Sequence, residues 1–474
     1  MTMPRSTPEA EGVDGRGLLA LLDAFESPGH GYHSLMVARH GRVIAEGWWA
    51  PYAHDRAHLG YSLSKSFTAT VLGNLAGRGL IDLDAPVLSY LTDLATVSPK
   101  WRRVSVRDCI AMTAGHTADA WDWRGEGLPA GVRPGDPDPV LELILAAEPD
   151  GEPGRVWAYN QVATYLVAQA IAAASGEPLS VQVRRLLLDP FGGGAARAQR
   201  TPQGRDLGFS GLSVTTPAIL ALAQTWLDGG LWRGERIVPA DYAALALHPS
   251  AASLAAAEMV GDWAHGYGYS FWGGSHGYRG DGAFGQFAVV LPDQDVVVAI
   301  TSEVEVMQEV LDRLWHHLLP AIDAEPHPDA DRQLARRLAE LEHHPLSGPG
   351  RRPRVRARRD PASQLPEAFG AVTLETSPGG HHLLRIDHPA GELVTVVGDG
   401  QWLESRWATP AGPELAVVSS GAWRGGVFTA QLRLIETPHT ILLDLDADAG
   451  TVRLDWRLVP LTGPDPLHAV GFPI

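Results

Sequence analysis

In the run Gly60-Tyr61-Ser62-Leu63-Ser64-Lys65-Ser66-Phe67, a serine hydroxyl and a lysine amine stand three positions apart. If the run opens a helix, positions i and i+3 share a face and the amine reaches the hydroxyl. A serine hydroxyl is a weak nucleophile until a neighbouring base takes its proton. Lysine is such a base when burial or nearby charge favours its neutral form. Backbone N–H groups at the helix start place a positive pole where an oxyanion would develop. The chemistry on offer is acyl transfer through a covalent serine. The same spacing also describes a serine N-cap with a surface lysine in the first turn, so the flanking segments decide.

Those segments are Tyr61-Ser-Leu-Ser-Lys-Ser-Phe-Thr-Ala, Val106 to His116, Pro153 to Gln161 running on to Ser175-Gly176, and Gly211-Leu-Ser-Val-Thr-Thr. Taken in order and at these separations, they resemble the penicillin-recognising serine hydrolases: class C β-lactamases, DD-peptidases, D-aminopeptidases and family VIII esterases. The resemblance spans residues 5–320. It implies that Ser62 is the acylated nucleophile, Lys65 its general-base partner and Tyr159 the phenol that relays a proton to the leaving group. A phenol serves as a base only beside a cation, and Lys65 is the candidate.

Two departures from the family pattern bear on the substrate. The second motif ordinarily ends in an asparagine two residues after its tyrosine. Here that position is Gln161, and Asn160 falls one residue early, so either amide is a candidate to hold Lys65 and the substrate carbonyl. The third motif, Lys-Thr-Gly or His-x-Gly in relatives, corresponds to Tyr278-Arg279-Gly280-Asp281-Gly282-Ala283. Aligning Gly282 with the motif glycine leaves Gly280 in place of the cation. Arg279 is the substitute, although a guanidinium does not shuttle protons. Asp281 would repel a substrate carboxylate unless Arg279 neutralises it. That pattern disfavours β-lactams, which are anionic, and leaves neutral esters and amides open. The amides of Ser62 and Ala283 form the oxyanion hole that the resemblance implies, with Asn160, Gln161, Arg279, Asp281 and Gly282 as substrate-binding positions.

The elements that must position these groups are legible in outline. Helices are expected at Gly15 to Phe25, Ser64 to Arg78, Pro217 to Leu227 and about Glu303 to Leu319. A hairpin is expected around His40-Gly41, with further strands at Tyr267 to Trp272, Gln286 to Leu291 and Asp295 to Ile300. Strands near both ends with helices between give an α/β (α+β) fold: a β-lactamase-like antiparallel sheet flanked by helices, plus a helical lobe over about 80–225. Beyond a boundary near residue 345, short β-rich runs at Leu383, Leu393, Leu415 and Thr440 indicate an added antiparallel sandwich or barrel, similar to lipocalin-like modules. The expected domains are 1–345 and 346–474. For the second, gating, dimerisation and plain stabilisation are all open roles.

Other signals carry less. The chain has 474 residues, 45% hydrophobic and 20% charged, and a net charge of −17, which disfavours nucleic acid and anionic lipid as partners. The six arginines between Arg351 and Arg359 are expected to be a solvated linker, with a docking patch as the alternative. The single cysteine, Cys109, excludes an internal disulfide and reads as a small buried hydrophobe. Ser275 in Gly273-Gly-Ser-His-Gly277 matches a nucleophile elbow but has β-rich sequence on both sides, so it reads as a hairpin residue. The paired histidines lack metal-site spacing and there is no nucleotide loop, so neither a metal nor a cofactor is expected. Trp121, Trp123 and Trp157 are candidates for an aromatic wall beside the site. With no leader or spanning segment in view, a cytoplasmic protein acting on a small-molecule or peptide substrate is the expectation, with a homodimer open. Covalent hydrolysis of an ester or amide leads. Acyl transfer to an amine, including peptide cyclisation, and non-catalytic binding on the same fold are the alternatives.

Overall fold

A computed structural model describes residues 3–27, 31–91, 98–119, 139–201, 203–256, 259–327, 329–377, 379, 381–409, 412–469 and 472–473. The chain divides into two compact units, one of Met1–Gly47, His54–Glu340 and Pro473–Ile474, the other of Trp48–Ala53 and Leu341–Phe472.

The first unit is built on an antiparallel sheet. Its strands in chain order are β1 (Tyr32–Arg39), β2 (Arg42–Trp48), β3 (Trp272–Gly274), β4 (Gly277–Gly282), β5 (Gln286–Leu291) and β6 (Val296–Ser302). They lie side by side as β2-β1-β6-β5-β4-β3, so the first hairpin pairs with a strand from far along the chain. In that pairing Leu35 faces Ile300 and Val37 faces Val298. β1, β5 and β6 are buried along their whole length, which is why they read as continuous apolar runs rather than alternating ones. Helices α1 (Gly15–Phe25), α2 (Ser64–Gly77), α3 (Gln161–Ser175) and α4 (Thr216–Leu227) supply the main packing partners. α1 starts where the Asp14 carboxylate caps the Arg16 amide. α2, α3 and α4 are buried on nearly every side, so they show little amphipathic periodicity.

Two expected elements differ. Residues 267–272 do not form one strand: Ser270 takes a left-handed backbone (φ 61°) and the Gly268 amide donates to the Phe271 carbonyl, folding the run onto itself. Gly268 is required there, because a Cβ would stand 2.0 Å from the Ala246 carbonyl oxygen. The helix expected from Glu303 begins at Met307 and passes at Leu314 into a wider turn. Ser275 sits on the β3–β4 hairpin turn, its hydroxyl on Asp262 at 2.7 Å.

The second unit is a nine-stranded, nearly closed β-sheet. Its interior is filled by Phe369, Leu384, Trp407, Trp423, Phe428 and other apolar side chains. The arginine-rich run is not a linker. Arg354–Arg359 is a strand of this sheet, with Val355 and Ala357 turned inward and Arg354, Arg356 and Arg358 alternating outward. Arg354 pairs at 3.4 Å with Glu375 on the adjacent strand, and Arg356 at 2.6 Å with Asp387 just beyond the strand after it, so opposite charge nearby makes the run compatible with a sheet. Among the described residues no helix is long and apolar enough to cross a membrane.

Candidate active site

Ser62 lies in a 3-10 turn, Tyr61–Leu63, that leads directly into α2. Tyr61 holds a left-handed backbone, φ 47°, although it is a bulky residue buried to 1% exposure. Such strain survives only where surrounding packing fixes it, and it gathers at functional sites. The serines and threonines after the nucleophile are core residues with satisfied hydroxyls. Ser64 Oγ donates to the Tyr61 carbonyl at 2.6 Å and accepts from the Leu212 amide at 3.0 Å. Ser66 Oγ donates to the Ser270 carbonyl and Thr68 Oγ1 to that of Gly208, each at 2.8 Å. These bonds let a polar helix sit inside the protein and lock its start to two distant segments.

Lys65 is 1% exposed, yet its amine has three acceptors. Nζ stands 3.1 Å from Ser62 Oγ, 2.7 Å from Gln161 Oε1 and 2.7 Å from the Phe209 carbonyl oxygen. An ammonium has three N–H donors and here each has a destination. The amine also lies 4.7 Å from the centre of the Tyr159 ring, within the range of cation–π attraction. Ser62, Lys65, Tyr159 and Gln161 are thereby brought together.

Asn160 and Gln161 divide the work that the sequence left open. Asn160 is the N-cap of α3, its Oδ1 accepting from the Val162 amide at 3.0 Å. Its amide nitrogen is buried without a partner among the described residues. Gln161, the first helical residue, turns its side chain to Lys65 while its own amide donates to Asp119 Oδ1 at 3.1 Å.

β4 forms the opposite wall. A Cβ on Gly280 would meet Ser66 Oγ at 2.3 Å, and one on Gly282 would meet the Gly60 carbonyl oxygen at 2.0 Å. The strand therefore packs backbone-first against the nucleophile turn, with no room for a lysine or histidine at position 280. Ala283 follows directly. The Gln286 side chain donates to its carbonyl at 3.0 Å, and Ser302 Oγ donates to that of Phe284 at 2.9 Å. Phe284 is left-handed, φ 65°, and its ring lies 5.3 Å from that of Tyr61. The two strained residues thus brace the nucleophile turn against the turn that carries Ala283.

Arg279 and Asp281 face away from α2, on the same side of the strand, and both are buried. Arg279 Nε donates to Asp281 Oδ2 at 3.1 Å and Nη1 to the Gly273 carbonyl at 2.9 Å. Burial pushes the Arg279 guanidinium below its ordinary value. Burial also raises the Asp281 carboxyl, opposed by the Arg279 charge and, more weakly, by Lys65. Arg279 is thus a partner of Asp281 rather than a free cation.

An aromatic wall completes the site. Tyr159 stacks on Trp272, with centroids 5.6 Å apart at 15°, and meets Tyr267 edge-on at 5.9 Å. Trp157 packs against Tyr267 and Trp272 in the same cluster, and Trp263 lies at its edge. Trp121 and Trp123 lie outside the described residues. Sequence reasoning missed Trp272, Tyr267 and Trp263, because their spacing fits any buried segment. It also missed the Phe209 carbonyl, a backbone group that leaves no side-chain signature. Among the described residues no cluster of metal-ligating side chains occurs.

Comparison with known proteins bears on the family and the fold. The Beta-lactamase family model matches residues 33–321. A 6-aminohexanoate-dimer hydrolase of Paenarthrobacter ureafaciens is 29% identical over 219 residues, 43% of this chain and 54% of that enzyme. Esterase EstB of Burkholderia gladioli is 27% identical over 216 residues, 40% of this chain and 54% of the esterase. The chain thus spans about half the length of these relatives. Among solved structures, SurE matches with a TM-score of 0.52 at 19% identity, covering 87% of this chain and 98% of SurE. The octameric penicillin-binding protein homologue of Pyrococcus abyssi matches at 0.51 and 14%, over 88% and 97%. At these identities the structural likeness speaks for the fold. With the family match extending over more than half its length, this chain belongs to the β-lactamase family of serine hydrolases.

Proposed function

We propose that the protein hydrolyses an ester or amide through an acyl-enzyme on Ser62. The observation that carries this reading is the placement of the Lys65 amine, 3.1 Å from Ser62 Oγ and held from two other sides. On losing a proton the amine keeps two N–H groups for Gln161 and Phe209, and its lone pair falls towards the serine hydroxyl. That is the arrangement a general base needs.

In the first step the Lys65 amine takes the Ser62 proton as Oγ attacks the carbonyl. The amides of Ser62 and Ala283 receive the oxyanion, a contribution of about 3 kcal/mol per donor. The tetrahedral intermediate collapses as the leaving group takes up a proton by way of Tyr159. Water then attacks the ester on Ser62; the acyl–Oγ bond breaks, releasing the acid, and the water's proton passes by the same groups to Ser62 Oγ. Esterase and amidase names among the relatives fit this chemistry without choosing between the two.

The test is labelling with a fluorophosphonate probe, read by mass spectrometry of the intact chain and its peptides. One adduct on Ser62, absent from Ser62→Ala together with turnover of p-nitrophenyl butyrate, is expected. Full turnover by Ser62→Ala would overturn the reading.

A further inference from the structure

Three residues, Ala283, Phe284 and Gly285, join the end of β4 to the start of β5. Phe284 and Gly285 both hold left-handed backbones, φ 65° and 85°, so the turn leaves the ladder and its carbonyls need other donors. Side chains supply them at every position. Gln286 Nε2 donates to the Ala283 carbonyl at 3.0 Å. Ser302 Oγ lies 2.9 Å from the carbonyl oxygens of both Phe284 and Gly285, and the Val304 amide donates to that of Phe284 at 3.1 Å. A Cβ on Gly285 would stand 2.3 Å from Ser302 Oγ, so this approach requires glycine.

Gln286 is 0% exposed, and its amide is fully used. Nε2 also donates to the Ser302 carbonyl at 2.7 Å, and Oε1 accepts from the Ser302 amide at 3.2 Å. The backbone pairing of β5 with β6 stops at Phe287 and Ile300. The Gln286 side chain therefore extends that ladder in the manner of a peptide group, and three bonds leave its amide one orientation. Two of the three are what the end of a sheet requires. The third is not, and it falls on Ala283, the residue whose amide is assigned to the oxyanion. A residue has only two soft torsions between its N–H and its C=O, so holding the Ala283 carbonyl restricts where its amide can point.

We propose that Gln286, braced by Ser302, is the positioning residue of the oxyanion hole and acts through Ala283. The inference rests on the Ser62 acyl-enzyme reading above. Donors stabilise a developing oxyanion best when they need no reorientation as the charge forms. An Ala283 without its tether would have to be drawn into place at each turnover. The ground-state carbonyl carries less charge than the tetrahedral oxygen, so the loss falls on kcat rather than on KM.

The experiment uses Gln286→Met, which keeps the length of the side chain and removes its hydrogen bonds. Fluorophosphonate labelling of Ser62, carried to completion, counts the active sites, so misfolded protein does not enter the rate. Per labelled site, kcat for p-nitrophenyl butyrate is expected to fall about ten- to a hundredfold, with little change in KM. Phenylboronic acid, whose boron takes Ser62 Oγ to form a tetrahedral anion as the hydroxyl proton passes to Lys65, should lose affinity by the same factor as kcat/KM. Ser302→Ala should show the same signature more weakly, because Gln286 still holds Ala283. Unchanged kcat per site in Gln286→Met, or boronate affinity that does not follow kcat/KM, overturns the inference; Gln286 is then a bond of the sheet end and the hydrolase reading stands. Should Gln286→Met not fold, unchanged kcat per site in Ser302→Ala overturns the inference equally, and a fall shared by kcat and boronate affinity supports it. No turnover and no adduct on Ser62 in the unmodified enzyme overturns both readings.

Discussion

Gly282 lies against Gly60 so closely that a Cβ on it would stand 2.0 Å from the Gly60 carbonyl oxygen and 3.1 Å from the Leu63 amide nitrogen. The Leu63 amide donates to that same carbonyl, closing the turn that presents Ser62. The position of the nucleophile is therefore set partly by the absence of a side chain on the facing strand. Gly282→Ala should force the two backbones apart, with a stability loss of about 1–3 kcal/mol from overpacking. Activity should fall further than stability does, because the shift separates the amides of Ser62 and Ala283. Thermal melting and kcat measured on one preparation check both. Unchanged kcat with a lowered melting temperature would show that this contact supports the fold alone.

Gln161 holds the Lys65 amine through a neutral acceptor at 2.7 Å. Gln161→Glu keeps the length and places a carboxylate there, which favours the ammonium form. A larger share of the base is then protonated, so kcat should fall about a hundredfold, and the acid limb of the rate–pH profile should move to higher pH. Gln161→Ala should instead lower kcat without that displacement. A rate–pH series on both variants separates the two effects. Identical profiles would mean that Gln161 does not govern the base.

His58, on the short strand that leads into the nucleophile turn, contributes a pH dependence of stability. Its Nε2 lies 2.9 Å from His33 Nδ1, both rings are buried, and Nδ1 lies 3.3 Å from the Leu59 carbonyl oxygen. Burial lowers the imidazole from 6.5 to about 3. Between those values the unfolded chain binds the proton and the folded chain does not, so stability rises with pH through this window. It is complete above about 6.5 and lost as pH falls towards 3. The slope from this one group is at most about 1.36 kcal/mol per pH unit. In urea titrations at stepped pH, His58→Gln, which keeps a polar partner for His33, should flatten the dependence by up to one proton. An unchanged slope would assign the acid sensitivity to other groups.

The site was legible in the sequence to the extent that chemistry resides in side chains at fixed helical spacing. Ser62 and Lys65 stand out because i and i+3 on a helix have one geometry. Asn160 and Gln161 could not be ranked, since both carry an amide and differ by one position. Their roles depend on where α3 begins. Once Asn160 is the cap, its oxygen is committed to the Val162 amide, and Gln161 is the residue that turns to the lysine. The run 267–272 misled for a related reason: β-rich composition does not register that Ser270 must turn left-handed.

By itself the sequence determined the α/β character, the family resemblance and the pairing of Ser62 with Lys65, because each rests on local spacing or on the order of matching segments. Tertiary structure decided what no local pattern encodes. It brought the Phe209 carbonyl to Lys65 across 144 residues, seated Gly282 on Gly60, and converted Arg279 from a candidate substrate cation into the partner of Asp281. The arginine-rich run became a strand because Asp387 and Glu375 stand beside it. These contacts join distant segments, and their energies depend on burial and counter-charge that exist only after the chain has closed on itself.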